Sequence, residues 1–282
     1  MRLRELRRLC RAQLLESRTA RPEYCADLII SKKLGLDRAS LLYKDCDIPE
    51  DVCEGIFFMI KKRASGVPLA YVLHEAEFFG YPFHVGRGVL IPRPETELLV
   101  EAALEYFPPG RAASFADWCT GSGCIAISLL LENSALTGAA VDISASALRW
   151  AAINRRAHGV EERLSLIRCG EPSLAPIEKN SLDFITANPP YIPEDEMAGL
   201  MSEVRCYEPH IALDGGADGL LLYRKFFSSF PALLKPGGLL FFETAGERQI
   251  CSLERLASAE FSLVHKISDY NGIIRHVIWR KS

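Results

Sequence analysis

The 282-residue sequence has no apolar run long enough to span a bilayer, which excludes a helical membrane protein. The charged start, Met1 to Arg8, has no apolar stretch behind it of the kind a secretory leader needs, so the expected location is the cytoplasm. There is no C-x-x-C and no H-E-x-x-H, and the nine cysteines are scattered. An odd, dispersed set reads as reduced and mostly buried thiols rather than a disulfide frame or a zinc site. His74, His84, His158, His210, His265 and His276 have no partner at nucleophile or metal spacing, so none is assigned catalysis. A net charge of −3 gives no global basic field for nucleic acid. Internal repeats and low-complexity stretches are absent as well.

What is present is a globular composition, 49% hydrophobic and 24% charged, with room for one large domain or two unequal ones. Charge is uneven along it. Residues 1–63 hold 14 Lys/Arg against 10 Asp/Glu, and the remainder holds 19 against 26. Arg2, Arg4, Arg7, Arg8 and Arg11 crowd the first stretch, as a solvated helix face or a docking face. Residues 1–66 read as a small helical bundle. Leu3, Leu6, Leu9 and Leu14 recur at helical spacing, and Val52, Ile56, Met59 and Ile60 form a core stripe. Pro49 suits a first turn, and Gly35 and Gly66 suit helix ends. Residues 67–92 change character. Phe78, Phe79, Tyr81, Phe83, Val85, Val89 and Ile91, punctuated by Gly80, Gly86 and Gly88, predict a β-hairpin-like linker. Ile91-Pro92-Arg93-Pro94-Glu95-Thr96-Glu97 then opens a helix, with Pro94 at its start.

The third segment, 93–282, alternates strand and helix. Strands are expected at 113–118, 137–142, 163–167, 182–187, 238–243, 261–267 and 273–279, and helices at 123–132, 144–157, 218–234 and 247–258. Such alternation predicts an α/β fold, a seven-stranded and doubly wound sheet that is mostly parallel. The last two strands are joined only by Ser268-Asp269-Tyr270-Asn271-Gly272. A parallel pair needs a long crossover, so these should be antiparallel. That ending points away from plain dinucleotide folds and toward the methyltransferase variant.

Asn188-Pro189-Pro190-Tyr191 follows the strand-like Leu182 to Ala187. Two prolines cannot extend a sheet ladder, so the strand stops there, at the edge where open α/β sheets bind ligands. An Asn carbonyl and a Pro carbonyl side by side suit the grip of an NH2 group by its two hydrogens. Asn and Pro are also common turn residues, and position after a strand and downstream of a glycine-rich loop weighs for function.

That loop is Cys119-Thr120-Gly121-Ser122-Gly123, between the first strand of the alternating segment and a helix. Its two glycines let backbone approach a ligand, and the helix start offers free N–H groups. Ala126 stands at the third position of G-x-G-x-x-G. Asp142 ends the next strand about 20 residues on, where a carboxylate can accept from both ribose hydroxyls. It could instead cap the helix near Ser144, although Ser144 could do that itself. Loop plus Asp implies a nucleoside-bearing cofactor. NAD would fit this pair, but Asn-Pro-Pro-Tyr has no place in hydride transfer and fits S-adenosylmethionine.

Together these motifs resemble the class I methyltransferases that modify protein glutamine at N5, the peptide chain release factor glutamine methyltransferases. The match covers nearly the whole chain. Its most specific string is the 91–97 linker, and it extends through Tyr207-Glu208-Pro209, Ala212 to Leu220, and Lys235-Pro236-Gly237-Gly238 leading to Glu243. The resemblance implies a helical substrate-recognition domain at 1–66 and a methyltransferase domain at 93–282. It implies S-adenosylmethionine as cofactor and, as partner and substrate, the Gly-Gly-Gln glutamine of class 1 release factors; the acidic second half and the lack of a spanning apolar run add the expectation of no direct nucleic acid and no membrane, and a monomer is expected. Asn188, Pro189, Pro190 and Tyr191 would hold substrate, with Asn188, Pro189 and Tyr191 catalytic. Cys119, Thr120, Gly121, Ser122, Gly123, Asp142, Glu171 and Asn188 would bind cofactor. Cys119 departs from the family's usual glycine. Glu171 either sits by the adenine or lies in a surface turn. Tyr191 either packs on the substrate amide or anchors the loop, and Glu243 is expected to be structural. The alternatives are a nucleic-acid adenine-N6 methyltransferase and a non-catalytic binding protein.

Overall fold

A computed structural model describes residues 1–257 and 259–282. Contacts divide the chain into two compact units, Met1–Glu75 with Met201–Tyr207, and Ala76–Leu200 with Glu208–Ser282.

The first unit holds α1 (Leu3–Glu16), α2 (Pro22–Leu34), α3 (Ser40–Tyr43), α4 (Glu50–Ala64) and α5 (Leu69–Leu73). The leucine stripe of α1 is buried at Leu3, Leu6 and Leu14, against Ile29 and Ile30 of α2 and Ile56 and Ile60 of α4. The arginines at and just before α1 are largely engaged. Arg7 and Arg11 both donate to the buried Asp27, and Arg2 and Arg4 pair with Asp45. Burial pushes the Asp27 carboxyl up, and hydrogen bonds from the two arginines outweigh it and hold it below the usual range. The expected boundary at 66 is displaced. Val72 of α5 is buried in the same helical core, so the unit runs to Glu75. It also takes in 201–207, where Glu203 accepts from the buried Arg63 at 2.6 Å and Tyr207 donates to the Ser65 carbonyl at 2.9 Å.

β1 (Glu75–Phe78), whose first residue is the last of the first unit, and β2 (Tyr81–His84) pair as a separate two-stranded sheet at the start of the second unit. This is the expected hairpin, shorter than the apolar pattern, because Val89 and Ile91 lie beyond its strands. A 3-10 turn at Pro94–Thr96 leads into α6 (Glu97–Tyr106). Then follow β3 (Ala113–Trp118), α7 (Cys124–Glu132), β4 (Leu136–Asp142), α8 (Ala145–Ala157), β5 (Leu164–Arg168), β6 (Leu182–Ala187), α9 (Ser202–Tyr207, counted with the first unit), α10 (Leu221–Ser229), β7 (Leu234–Glu243), α11 (Glu247–Leu256), β8 (Phe261–Ser268) and β9 (Ile274–Lys281). The expected helix 218–234 is cut at both ends. A 3-10 turn carrying Pro231 follows α10, and β7 starts at Leu234. The last residue of the expected helix 247–258 lies outside the described residues.

The seven-stranded sheet has the order β5-β4-β3-β6-β7-β9-β8. Pairs among β5, β4, β3, β6 and β7 are parallel, and β9 runs antiparallel to both β7 and β8. The short turn after β8 allows no crossover, so its hairpin partner β9 lies between β8 and β7. Side chains alternate between two cores, as a sheet covered on both faces requires. Phe115, Phe184, Leu239 and Phe241 join one, and Trp118, Ile185, Leu240 and Phe242 join the other. The chain starts at β3, winds outward to β5 and returns to β6 on β3's other side. The strand order therefore reverses between β3 and β6, where a crevice opens at the carboxyl ends.

Candidate cofactor and active site

The glycine-rich loop leaves β3 at this reversal. Asp117, fully buried, accepts from Thr120 Oγ1 at 2.5 Å and from Thr186 Oγ1 of β6 at 2.8 Å. Burial raises its carboxyl to about 7, with the two hydroxyls opposing and Asp142 adding to the rise. The loop then turns through Cys119 at φ 58°, Gly121 at φ 57° and Gly123 at φ 82°. Cys119 thus stands in the left-handed region, which explains why glycine suits this place. Its half-buried thiol is held well above the ordinary thiol range by burial, then by Asp142 and Asp117.

Asp142, at the end of β4, faces the loop. One carboxylate oxygen accepts the Gly121 N–H at 2.9 Å and the other the Ser144 N–H at 2.8 Å. Burial raises its carboxyl, opposed by those N–H groups. The cap of α8 is made by Ser144, whose hydroxyl accepts from Ala147 N at 3.2 Å. Asp142 is therefore free of that duty.

At the end of β6, Asn188 Nδ2 donates to Thr96 Oγ1 at 3.2 Å, and Thr96 Oγ1 donates to Glu243 Oε2 at 2.6 Å. Glu243, at the end of the neighbouring β7, also accepts from Tyr191 OH at 3.3 Å. Burial, and then the Glu243 charge, push the Tyr191 phenol up. The segment 213–219 holds the loop from outside. Ile192 N donates to Leu213 O, Gly215 N donates to Ile192 O, and Gln249 bridges the carbonyls of Tyr191 and Gly219. A Cβ on Gly219 would lie 2.4 Å from the Tyr191 carbonyl oxygen, so only glycine fits there.

These pieces enclose a cavity of about 210 Å3. The loop residues Cys119, Thr120, Gly121 and Ser122 line it together with Asp142 and Asn188. Trp118, Val141, Ile143 and Phe226 supply apolar wall, and the 88–96 segment supplies another side through Gly88, Val89, Leu90, Pro92, Arg93 and Thr96. A carboxylate at one strand end beside a glycine turn, flanked by apolar wall, suits a ribose with an attached base.

Residues 5–73 match the PrmC N-terminal domain model, and residues 94–203 match the methyltransferase small domain model. The release factor glutamine methyltransferase of Nitratidesulfovibrio vulgaris is 38% identical over 99% of this chain and 95% of its own length. The one of Chlorobaculum tepidum is 38% identical over 96% and 94%. The chain belongs to the release factor glutamine methyltransferase family. It is accordingly an S-adenosylmethionine-dependent methyltransferase. A putative transferase from Pyrococcus horikoshii shares the fold at a TM-score of 0.51 and 11% identity, over 74% of this chain and 72% of that one.

Four residues expected at the site of this family member stand off the cavity wall. Gly123 serves helix packing, since a Cβ there would meet Ile127 at 3.0 Å and Ala151 at 3.4 Å. Glu171 is paired with Lys225 at 3.1 Å on the surface, and its segment reaches the cavity through Cys169 and Gly170 instead. Pro189 is buried behind the wall formed by Asn188 and Pro190. Tyr191 donates through its hydroxyl to Glu243. Thr96, which no motif singles out although it lies inside the most specific string, also lines the cavity. Glu208 of the Tyr-Glu-Pro block fixes that same string, accepting from Ile91 N at 3.1 Å and from Arg93 at 2.6 Å.

Proposed function

We propose that this chain transfers a methyl group from S-adenosylmethionine to the side-chain amide nitrogen of the glutamine in the Gly-Gly-Gln loop of class 1 release factors. The observation that carries this reading is that Asn188 and Asp142 line one cavity, an amide grip and a ribose acceptor together. Membership of the family supports the choice of glutamine, and the names of the relatives do not favour adenine.

When bound, the cofactor supplies an electrophilic methyl carbon on a sulfonium. Asp142 would hold its ribose, the Cys119–Ser122 backbone its remaining polar groups, and Ile143 and Gly170 its flat base. The chain's own work is on the nitrogen, a poor nucleophile because its lone pair is delocalised into the carbonyl. Asn188 Oδ1, on the cavity wall, accepts one N–H bond, and the backbone carbonyl of Pro189, whose ring is buried behind that wall, is the acceptor the motif offers for the other; together they align the nitrogen and favour positive charge developing on it. Tyr191, anchored on Glu243, keeps the loop in place. No strong base is assigned, since the proton can leave once nitrogen is methylated. The helical unit would recognise the release factor, supported by its match to the PrmC N-terminal domain and its basic balance. The protein would act as a cytoplasmic monomer without direct nucleic-acid contact. Among the described residues no helix is long and apolar enough to cross a membrane.

The test is transfer of labelled methyl to a purified class 1 release factor, beside a Gln→Ala change in its Gly-Gly-Gln loop and beside unmethylated DNA. Label on the intact factor alone supports the reading. Label on DNA alone, or none anywhere with cofactor bound, overturns it.

A further inference from the structure

An Asn side chain has two nearly isosteric orientations, and only one presents its carbonyl. An amide grip therefore needs something that tells oxygen from nitrogen. Of the groups touching Asn188, the Thr96 hydroxyl could by itself either donate or accept. Its direction is decided one step further back. A carboxylate oxygen accepts, and Thr96 Oγ1 donates to Glu243 Oε2 at 2.6 Å. With its only proton committed, Thr96 Oγ1 turns a lone pair to Asn188 and accepts from Nδ2, at 3.2 Å. A flipped Asn188 would set oxygen against oxygen.

Each member is held independently. Thr96 ends a 3-10 turn closed by its own N–H donating to the Arg93 carbonyl at 3.1 Å. Glu243 is fixed by the β7–β9 ladder opposite His276, by Tyr191 on its other oxygen, and by Tyr223 donating to its backbone carbonyl at 2.6 Å. Thr96 and Glu243 are 3% and 2% exposed, so the hydrogen bond between them is shielded from bulk water. Thr96 and Asn188 both line the cavity and Glu243 stands behind them.

We propose that Thr96 and Glu243 are positioning residues that fix the Asn188 amide with its carbonyl toward the cavity, selecting a substrate nitrogen that carries two hydrogens. This rests on the amide-grip reading of Asn188, and the test keeps the two apart.

Thr96→Val, Thr96→Ser and Asn188→Ala are compared with the parent for kcat and KM on a purified class 1 release factor. S-adenosylmethionine affinity by calorimetry and Tm are measured alongside. Thr96→Val keeps the shape and removes both hydrogen bonds. It should lower kcat about 10- to 100-fold, the scale of a misaligned reacting group, with cofactor Kd within about 3-fold. Thr96→Ser should restore kcat to within about 3-fold of the parent. If Thr96→Val keeps parental kcat while Asn188→Ala loses it, the relay is wrong and the grip stands. If Asn188→Ala also keeps it, the grip itself fails. If Thr96→Ser is as poor as Thr96→Val, or if cofactor affinity and Tm fall together in both, the hydroxyl has no orienting role and the inference is overturned.

Discussion

Asp117 on β3 and Thr186 on β6 stand opposite each other across the point where the strand order reverses, and the Thr186 hydroxyl donates to the Asp117 carboxylate at 2.8 Å. The contact ties the cofactor strand to the strand that delivers Asn188. It also sets a pH dependence. The folded carboxyl is raised to about 7 by burial, against about 3.9 unfolded, so the folded state binds the proton more tightly. Stability from this group is present below about pH 4 and lost as pH rises to about 7. Asp117→Asn removes the titration. In urea unfolding, the parent should lose stability relative to Asp117→Asn across that window. A constant difference from pH 4 to 7 would show that Asp117 titrates normally.

Cys119 adopts φ 58°, which costs a non-glycine residue about 1–2 kcal/mol. Glycine relieves this, but loses the thiol's packing and gains unfolded-state entropy of about 0.4–1 kcal/mol. Cys119→Gly should therefore lie within about 1 kcal/mol of the parent, whereas Cys119→Val, β-branched in the same conformation, should cost at least about 2 kcal/mol. Denaturant unfolding of both variants checks the contrast, and equal stability of the two would remove the backbone argument.

Asp142 accepts from Gly121 N–H and Ser144 N–H, one on each oxygen. Asp142→Asn must turn an NH2 toward one of these donors and loses the charge proposed to meet the ribose hydroxyls. Losing a hydrogen bond to a charged group costs about 1.5–3 kcal/mol. Cofactor Kd should rise about 10- to 100-fold, with a smaller loss in kcat at saturating cofactor. Unchanged heats of binding in calorimetry would show that the ribose lies elsewhere.

Gly219 has φ 72°, and a Cβ there would lie 2.4 Å from the Tyr191 carbonyl oxygen. Gly219→Ala must push the Asn188–Tyr191 loop or the 213–219 segment aside. Turnover should fall about 10-fold or more, the scale expected when a reacting group is displaced, while cofactor affinity changes about 3-fold or less. Steady-state kinetics with calorimetry separates the two, and a loss confined to cofactor binding would contradict the placement.

The strands of the α/β segment were legible because each is a short apolar run bounded by turn residues. The carboxyl-end motifs were legible because Gly, Pro, Asn and Asp act on their own backbone. The expected helix 218–234 is longer than α10 because apolar Phe230 and Leu233 continue a helical pattern that Pro231 interrupts. Gly123 is marked in the sequence only by the glycine-rich motif, and Glu171 only by its position after the third strand. Their roles depend on Ala151 and Lys225, which no local spacing reveals.

The sequence by itself determined the order of elements, the antiparallel ending and the motif positions Cys119, Asp142 and Asn188 that the fold brings to one cavity. It also determined the likeness to the family, because those features rest on residues close together in the chain. Only the tertiary structure decided what holds Asn188. Thr96 is 92 residues from Asn188 and 147 from Glu243. They meet because β6 lies beside β7 and the linker folds across their ends. Contacts at such separation follow from strand order and register, which every residue of the sheet sets together and no segment sets alone.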